Sequence, residues 1–270
     1  MQRLTCLFLA ALAGLGFSGC LQIEQVIKLK PDGSGTVEET LLMSKEAVAS
    51  MQQMASGFGG KADAGKGFEL LDEKKLKEQA AKMGEGVTFV SAKKIDTEKS
   101  EGFAAVYAFA DINKLKVDQN PGSAMPGPMG GKSPDGGKSK KEQLLFKFAK
   151  GRPAELTITM PKPDEKAAEK KPQMEGMEDM AMQMMGQMFK DMKVTIAVEV
   201  VGTIEETNAE YRDGSRVTLM EMDFNKLLSD PAKFKALAKE NPKTLQEAKV
   251  LLKGLDGVKV EAAPVVKIKF

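Results

Sequence analysis

The sequence predicts an α+β fold: a mostly antiparallel β-sheet built from hairpins, with helices packed on one face. Three observations predict it. Short runs of alternating apolar and polar residues come in pairs joined by Gly- and Asp-rich turns. Helical periodicities fall between those pairs, not after every strand. No regular strand-helix-strand succession develops, so a parallel, doubly wound sheet is not expected.

The first element is a targeting segment. Arg3 precedes an apolar run from Leu4 to Phe17, and Ser18 and Gly19 lead into Cys20. The run is short for a membrane span and sits at the N-terminus, as a secretory h-region does. Small residues abutting a cysteine form a lipobox. Residues 1–19 are therefore expected to be cleaved and Cys20 to carry diacylglycerol, leaving residues 20–270 as one envelope domain. Acyl chains add about 0.8 kcal/mol per buried methylene, so such a cysteine with an amide-linked third chain would anchor firmly. Leu21, not Asp, follows Cys20. In a diderm cell that favours the outer membrane, on its periplasmic face.

Residues 21–43 read as a hairpin. Ile23, Ile27 and Leu29 alternate outward, Pro31 to Gly35 turns the chain, and Val37, Leu41 and Met43 alternate back. Ser44 can cap a helix bearing Ala47, Val48, Met51 and Met54. After a Gly-rich stretch (57–67), Asp72 caps a helix with Leu76, Ala80 and Met83 on one face, ended by Gly84. Val87 and Phe89 pair by pattern with Phe103, Ala105, Tyr107 and Phe109 as a second hairpin. Residues 118–141 are rich in Pro, Gly, Ser and Lys and are expected to form a mobile insertion, as is 161–173. Leu144–Phe148 and Glu155–Met160 read as strands. A Met-rich helix is expected over about 174–192, then a strand at Val194, Ile196, Val198 and Val200. Asp213-Gly214-Ser215 turns into a strand at Arg216–Met222. Asp230-Pro231 opens a helix with Phe234 and Leu237, and Thr244 to Glu247 is a capping box for another with Leu245, Ala248 and Leu252. Val258 to Phe270 is a strand broken by Pro264 and partly an edge. The hairpin count suggests one sheet, with the C-terminal strand pairing with the N-terminal ones.

Composition excludes several function classes. The chain has no His, and its two Cys are Cys6, in the signal, and Cys20. The commonest general base and transition-metal ligand is absent, and no thiol remains for a disulfide or zinc site. Lys and Glu interleave to a formal charge of +2, with two Tyr and no Trp, so there is no electrostatic footprint for nucleic acid. The scattered carboxylates read as a solvated surface. Gly131-Lys132-Ser133 and Gly137-Lys138-Ser139 lack the upstream Gly of a phosphate loop. Asp32 to Gly35 lacks the alternating ligands of a calcium loop. No cofactor, metal ion or catalytic residue is expected, and the chain reads as a non-enzyme.

The Met-rich stretch is the unusual patch. Met174, Met177, Met184, Met185, Met188 and Met192 recur at three- and four-residue spacings, with Met180 and Met182 off that line. Three readings stand: a soft core helix, an apolar groove or lid for acyl chains or a partner, and a Cu(I) or Ag(I) thioether site. The candidate ligand-binding residues are Met177, Met184, Met185, Met188 and Met192. Gly35 to Thr40 and Gly202 to Thr207 also echo one another (Gly-Thr-Val/Ile-Glu-Glu-Thr), a string that alternating strands repeat easily.

Cys20 followed at once by a strand, the turn Asp32 to Gly35, and the passage Val201 to Ala209 with Asp213-Gly214-Ser215-Arg-Val217-Thr218 together resemble the LppM-type bacterial lipoproteins. Leu219 and Met220 stand where that family commonly has an aromatic, and the Met-rich stretch lies outside the resemblance. The resemblance implies an envelope-anchored α+β domain that contacts lipid or glycolipid, with no catalytic residues. The expectation from residues and resemblance is a lipid-anchored, non-enzymatic envelope protein whose partners are the membrane and either a lipid or another envelope protein.

Overall fold

The computed structural model describes residues 21–49, 52, 70–118, 143–161, 191–229, 252 and 255–270. Strands dominate them, with short helices between, as an α+β fold requires.

β1 (Leu21–Leu29) and β2 (Gly35–Ser44) form the expected hairpin, in register from Leu21↔Met43 to Leu29↔Gly35. Its turn follows from chemistry. Asp32 Oδ1 accepts from Ser34 N and Ser34 Oγ at 2.9 and 2.7 Å, and Gly33 takes φ 88°, which an L-residue resists. α1 (Glu73–Lys82) is capped by Asp72, whose carboxylate accepts from Lys74 N and Lys75 N, and it buries Leu76 and Ala80. β3 (Thr88–Asp96) and β4 (Ser100–Phe109) are the second expected hairpin, Phe89 lying opposite Tyr107. β4 continues the sheet onto β2.

A 3₁₀ turn (Ile112–Lys114) leads to β5 (Val117–Asp118). β6 (Gln143–Ala149) and β7 (Glu155–Thr159) pair antiparallel. β8 (Met192–Val200), β9 (Glu206–Thr207), β10 (Arg212–Asp213) and β11 (Arg216–Asp223) follow, the last running into α2 (Phe224–Leu228). β12 (Val258–Val260) and β13 (Val265–Lys269) flank Pro264, where the break was expected.

These strands make two sheets, not one. The larger runs β10-β11-β8-β1-β2-β4-β3, with β12 also on β11; the smaller runs β5-β6-β7-β13-β9. The C-terminal strand therefore pairs with β7 and β9, not with the N-terminal hairpin. The larger sheet is antiparallel except at its centre, where β8 lies parallel to β1 from Leu21↔Met192 to Leu29↔Val200. A parallel neighbour needs a long crossover, and the chain between β1 and β8 supplies it.

One apolar core joins the sheets. Ile27, Val37, Leu41, Phe103, Val198 and Leu219 of the larger sheet share it with Leu144, Leu156, Ile158, Val266 and Ile268 of the smaller. The smaller sheet meets the β1–β2 turn: Ile112 N donates to Gly33 O at 3.0 Å, and a Cβ on Gly33 would sit 2.9 Å from the Phe148 ring.

The insertions expected at 57–67, 118–141 and 161–173 lie outside the described residues, except Asp118, paired in β5, and Pro161. So do the helix expected from Asp230-Pro231 and, Leu252 apart, the one from Thr244. Asp223, whose Oδ1 accepts from Lys226 N at 3.3 Å, caps a helix that begins before Asp230.

Candidate functional site

Cys20 and the candidates Met177, Met184, Met185 and Met188 lie outside the described residues. Met192 is described and is not helical: it opens β8, buried, opposite Leu21. Before it, Asp191 takes φ 60°, donates N–H to Asn225 Oδ1 at 2.8 Å and accepts from Asn225 Nδ2. The short polar side chain of Asp tolerates this left-handed backbone. The turn clamps the entry of β8 to α2 and stops any helix reaching it at residue 191.

Leu21 thus stands at one end of the larger sheet, with Met43 and Met192 beside it. β2 ends there in residues 45–49, which are helical, with Ala47 N donating to Ser44 Oγ at 3.1 Å as the cap reading expected. β11 ends there in α2, and Lys193 and Lys259 flank Glu221 at 3.7 and 3.2 Å. The opposite end carries the β1–β2 turn and the smaller sheet.

The passage that carries the family resemblance is divided between the sheets: Glu206 and Thr207 form β9 of the smaller, while Asp213 and Arg216 to Thr218 lie in β10 and β11 of the larger. Ile204 and Val217 are buried. Thr207 Oγ1 donates to Lys267 O at 2.7 Å. Asn208 pairs with β13 through its side chain: Nδ2 donates to Val265 O at 2.9 Å and Oδ1 accepts from Lys267 N at 2.7 Å. One carboxamide so stands in for a neighbouring strand beside β9, which spans two residues. Gly35 to Thr40 lies inside β2 of the larger sheet, whereas Gly202 to Thr207 runs into β9 of the smaller, so the two similar strings hold unlike positions.

Two carboxylates depart from the solvated surface expected of them. Glu261 is buried and accepts from Glu210 N at 2.8 Å and Ala263 N at 3.2 Å, holding the loop after β9 against the one after β12. Glu39 is 2% exposed on β2, where its Oε2 accepts from Gln79 Nε2 of α1 at 2.8 Å. Burial pushes its pKa up to about 7, and the Gln79 hydrogen bond opposes that in part. Beside it the Tyr107 hydroxyl is buried without a hydrogen-bond partner, and burial, with the Glu39 charge, drives its pKa above the usual range. A signal for Glu39 existed: it shares the inward parity of Val37 and Leu41, while Glu38 does not. Glu261, in an irregular stretch, gave none.

Among the described residues no cluster of three or more carboxylates, thiols or imidazoles could hold a metal ion. Among them no helix is long and apolar enough to cross a membrane, which says nothing of strands.

No protein-family model matches the chain, and no curated protein does. Among solved structures, the NMR structure of the folded domain of Mycobacterium tuberculosis LppM is similar over 78% of this chain and 86% of its own, at 14% identity and a TM-score of 0.31. This is a weak resemblance at the level of fold.

Proposed function

We propose that this protein is a lipid-anchored, non-enzymatic component of the cell envelope, held to the membrane by a diacylglyceryl group on Cys20. The observation that carries the reading is the junction of sequence and fold: the lipobox ends at Cys20, and the central strand β1 begins at Leu21. The anchor would then join the sheet with no linker. Nine residues of β1 at about 3.3 Å each would set the β1–β2 turn, and the smaller sheet against it, about 30 Å from the anchor. The absence of His and of any thiol besides Cys6 and Cys20 supports the non-enzymatic part. Outer-membrane placement in a diderm cell rests on Leu21 in place of Asp.

Labelling cells with an alkyne palmitate and fractionating their membranes tests this. Wild-type protein should carry the label and sediment with membranes; Cys20→Ser should lose both. Unlabelled wild-type protein would end the lipoprotein reading.

The finer proposal is that the domain binds a lipid or another hydrophobic ligand with Met177, Met184, Met185 and Met188 in its lining. Met192 is excluded from a helical lining by its place in β8. Native mass spectrometry of the protein, with lipid extraction of the same sample, should show a bound lipid that is lost when Met184, Met185 and Met188 become Gln. An apo mass would favour instead an assembly lipoprotein that docks on another envelope protein. The edge of β3 supports that second reading: among the described residues no strand pairs its outer side, and Val90 on it is 56% exposed. A Cu(I) function predicts instead metal binding that disappears when the same Met residues become Leu.

A further inference from the structure

Neither the anchor nor the hydrophobic-ligand proposal uses the polar cluster beneath α1. Glu39 lies on the core face of the larger sheet, between Val37 and Leu41 along β2, with Gln25 of β1 and Ala105 of β4 opposite it in the ladder. Among the described residues its one hydrogen-bond partner is the neutral Gln79 carboxamide. No cation faces it. The titratable groups on β4 are Glu101, four residues along the strand opposite Met43, and Tyr107, whose hydroxyl is itself unpartnered. On β3, Lys94 shares the face but is exposed at the sheet edge. On α1, Lys74, Lys75, Lys77 and Lys82 are exposed, and the Lys77 ammonium lies 5.6 Å from the Phe89 ring centroid. A carboxylate in this setting is starved of the donors and counter-charge that burial demands.

The element that covers Glu39 is α1. Its ten residues hold the sheet through Leu76 and Ala80, and through Met83 at its C-cap. The chain beyond is fastened: Lys116 N donates to Met83 O at 2.7 Å, and Gly84 bridges to Leu115. Gly84, at φ 138°, ends the helix and belongs to that fastening, so any lifting of α1 pivots at its C-terminal end, with Met83 and Gly84 held in place.

We propose that Glu39 and Gln79 form a proton-operated latch for α1. With the carboxyl protonated the helix stays docked over β2 and β4. With the carboxylate ionised the helix lifts, water reaches Glu39, and the apolar strip of Leu76 and Ala80 and the sheet face at Phe103 and Ala105 open to solvent. The carboxyl's elevated titration range, near neutrality, places the switch within the pH span an envelope protein meets. Opening one short helix while the sheets persist is a sub-global transition of the kind that small, weakly buried elements undergo.

Hydrogen exchange read by mass spectrometry tests this on the full chain in mild detergent. After correction for intrinsic chemical rates, peptides within 74–83 should exchange roughly tenfold faster at about pH 8.5 than at about pH 5.5, while β1 and β8 stay unchanged. In Glu39→Gln, which cannot ionise, these peptides should stay protected at both values. Tyr107→Phe, which keeps the carboxyl, should keep the pH dependence. A flat corrected rate in the wild type would overturn the latch whether or not Glu39→Gln folds. So would an unchanged pH dependence in a folded Glu39→Gln.

Discussion

At the scale of single residues, Glu39 makes the pH dependence of stability specific. Its folded pKa is raised, from 4.5 to about 7. Its contribution is therefore fully present below about pH 4.5 and is lost as pH rises toward 7, where the unfolded chain has released its proton and the folded chain has not. At about 1.4 kcal/mol per pH unit, the loss reaches about 3 kcal/mol, less whatever release of α1 relieves. Urea denaturation across that range should show this decline in the wild type and a flatter profile in Glu39→Gln. Tyr107→Phe removes a buried hydroxyl that has no partner, so its urea midpoint should hold or rise, because an unmade hydrogen bond costs what an apolar isostere avoids. Gly102 tells the opposite story. A Cβ there would run into the Leu41 carbonyl oxygen across the β2–β4 ladder, a backbone atom that cannot turn aside. Gly102→Ala should lose about 3 kcal/mol or fail to fold, as read by thermal melting.

At the scale of elements, caps and edges decide what holds. Asp72 accepts from two backbone N–H groups of α1, and Asp72→Ala should lower stability by about 1 kcal/mol in urea. Asn208 gives β13 a donor and an acceptor where β9 does not reach. Asn208→Ala should cost about 1–2 kcal/mol and raise exchange at the Lys267 amide. An unchanged amide there would mean that the carboxamide does not guard the edge. β3 is guarded differently. Its register shifts between Phe89 and Ser91, leaving Val90 as the extra residue, and Lys93 and Lys94 stand along it. A bulge and lysines are the usual deterrents to strand addition, so a partner on this edge would have to supply acidic side chains.

At the scale of the whole molecule, the proposed anchor and the fold share one axis. The strand that would follow Cys20 is central, flanked by β2 from its own hairpin and by β8 from far along the chain. The larger sheet is thus complete only once residues beyond 191 have joined it. A chain ended at residue 190 lacks β8 and β11, and with them β1 loses its parallel neighbour and β7 loses β13. It should show no cooperative unfolding transition by circular dichroism. A cooperative melt would mean that the N-terminal hairpins stand alone.

What the sequence determined by itself was local. Alternation located both N-terminal hairpins, Asp32 to Gly35 turned the first, Asp72 and Gly84 bounded α1, and Pro264 split the last strand. Each rests on chemistry within a few residues, where side-chain oxygens, missing Cβ atoms and the two-residue period act directly. The tertiary structure decided which strands meet. The parallel pairing of β1 with β8, the division into two sheets and the place of β13 beside β7 bring together residues far apart in the chain. An alternating pattern shows which face is buried but not against what. The inward Glu39 lay in the pattern, on the parity of Val37 and Leu41, yet only the helix above it, bringing the Gln79 carboxamide, made it a buried acid. At Met192 a three-to-four spacing that suits a helix yielded to the ladder: its place beside Leu21 in the sheet's centre buries the same side chain in a strand.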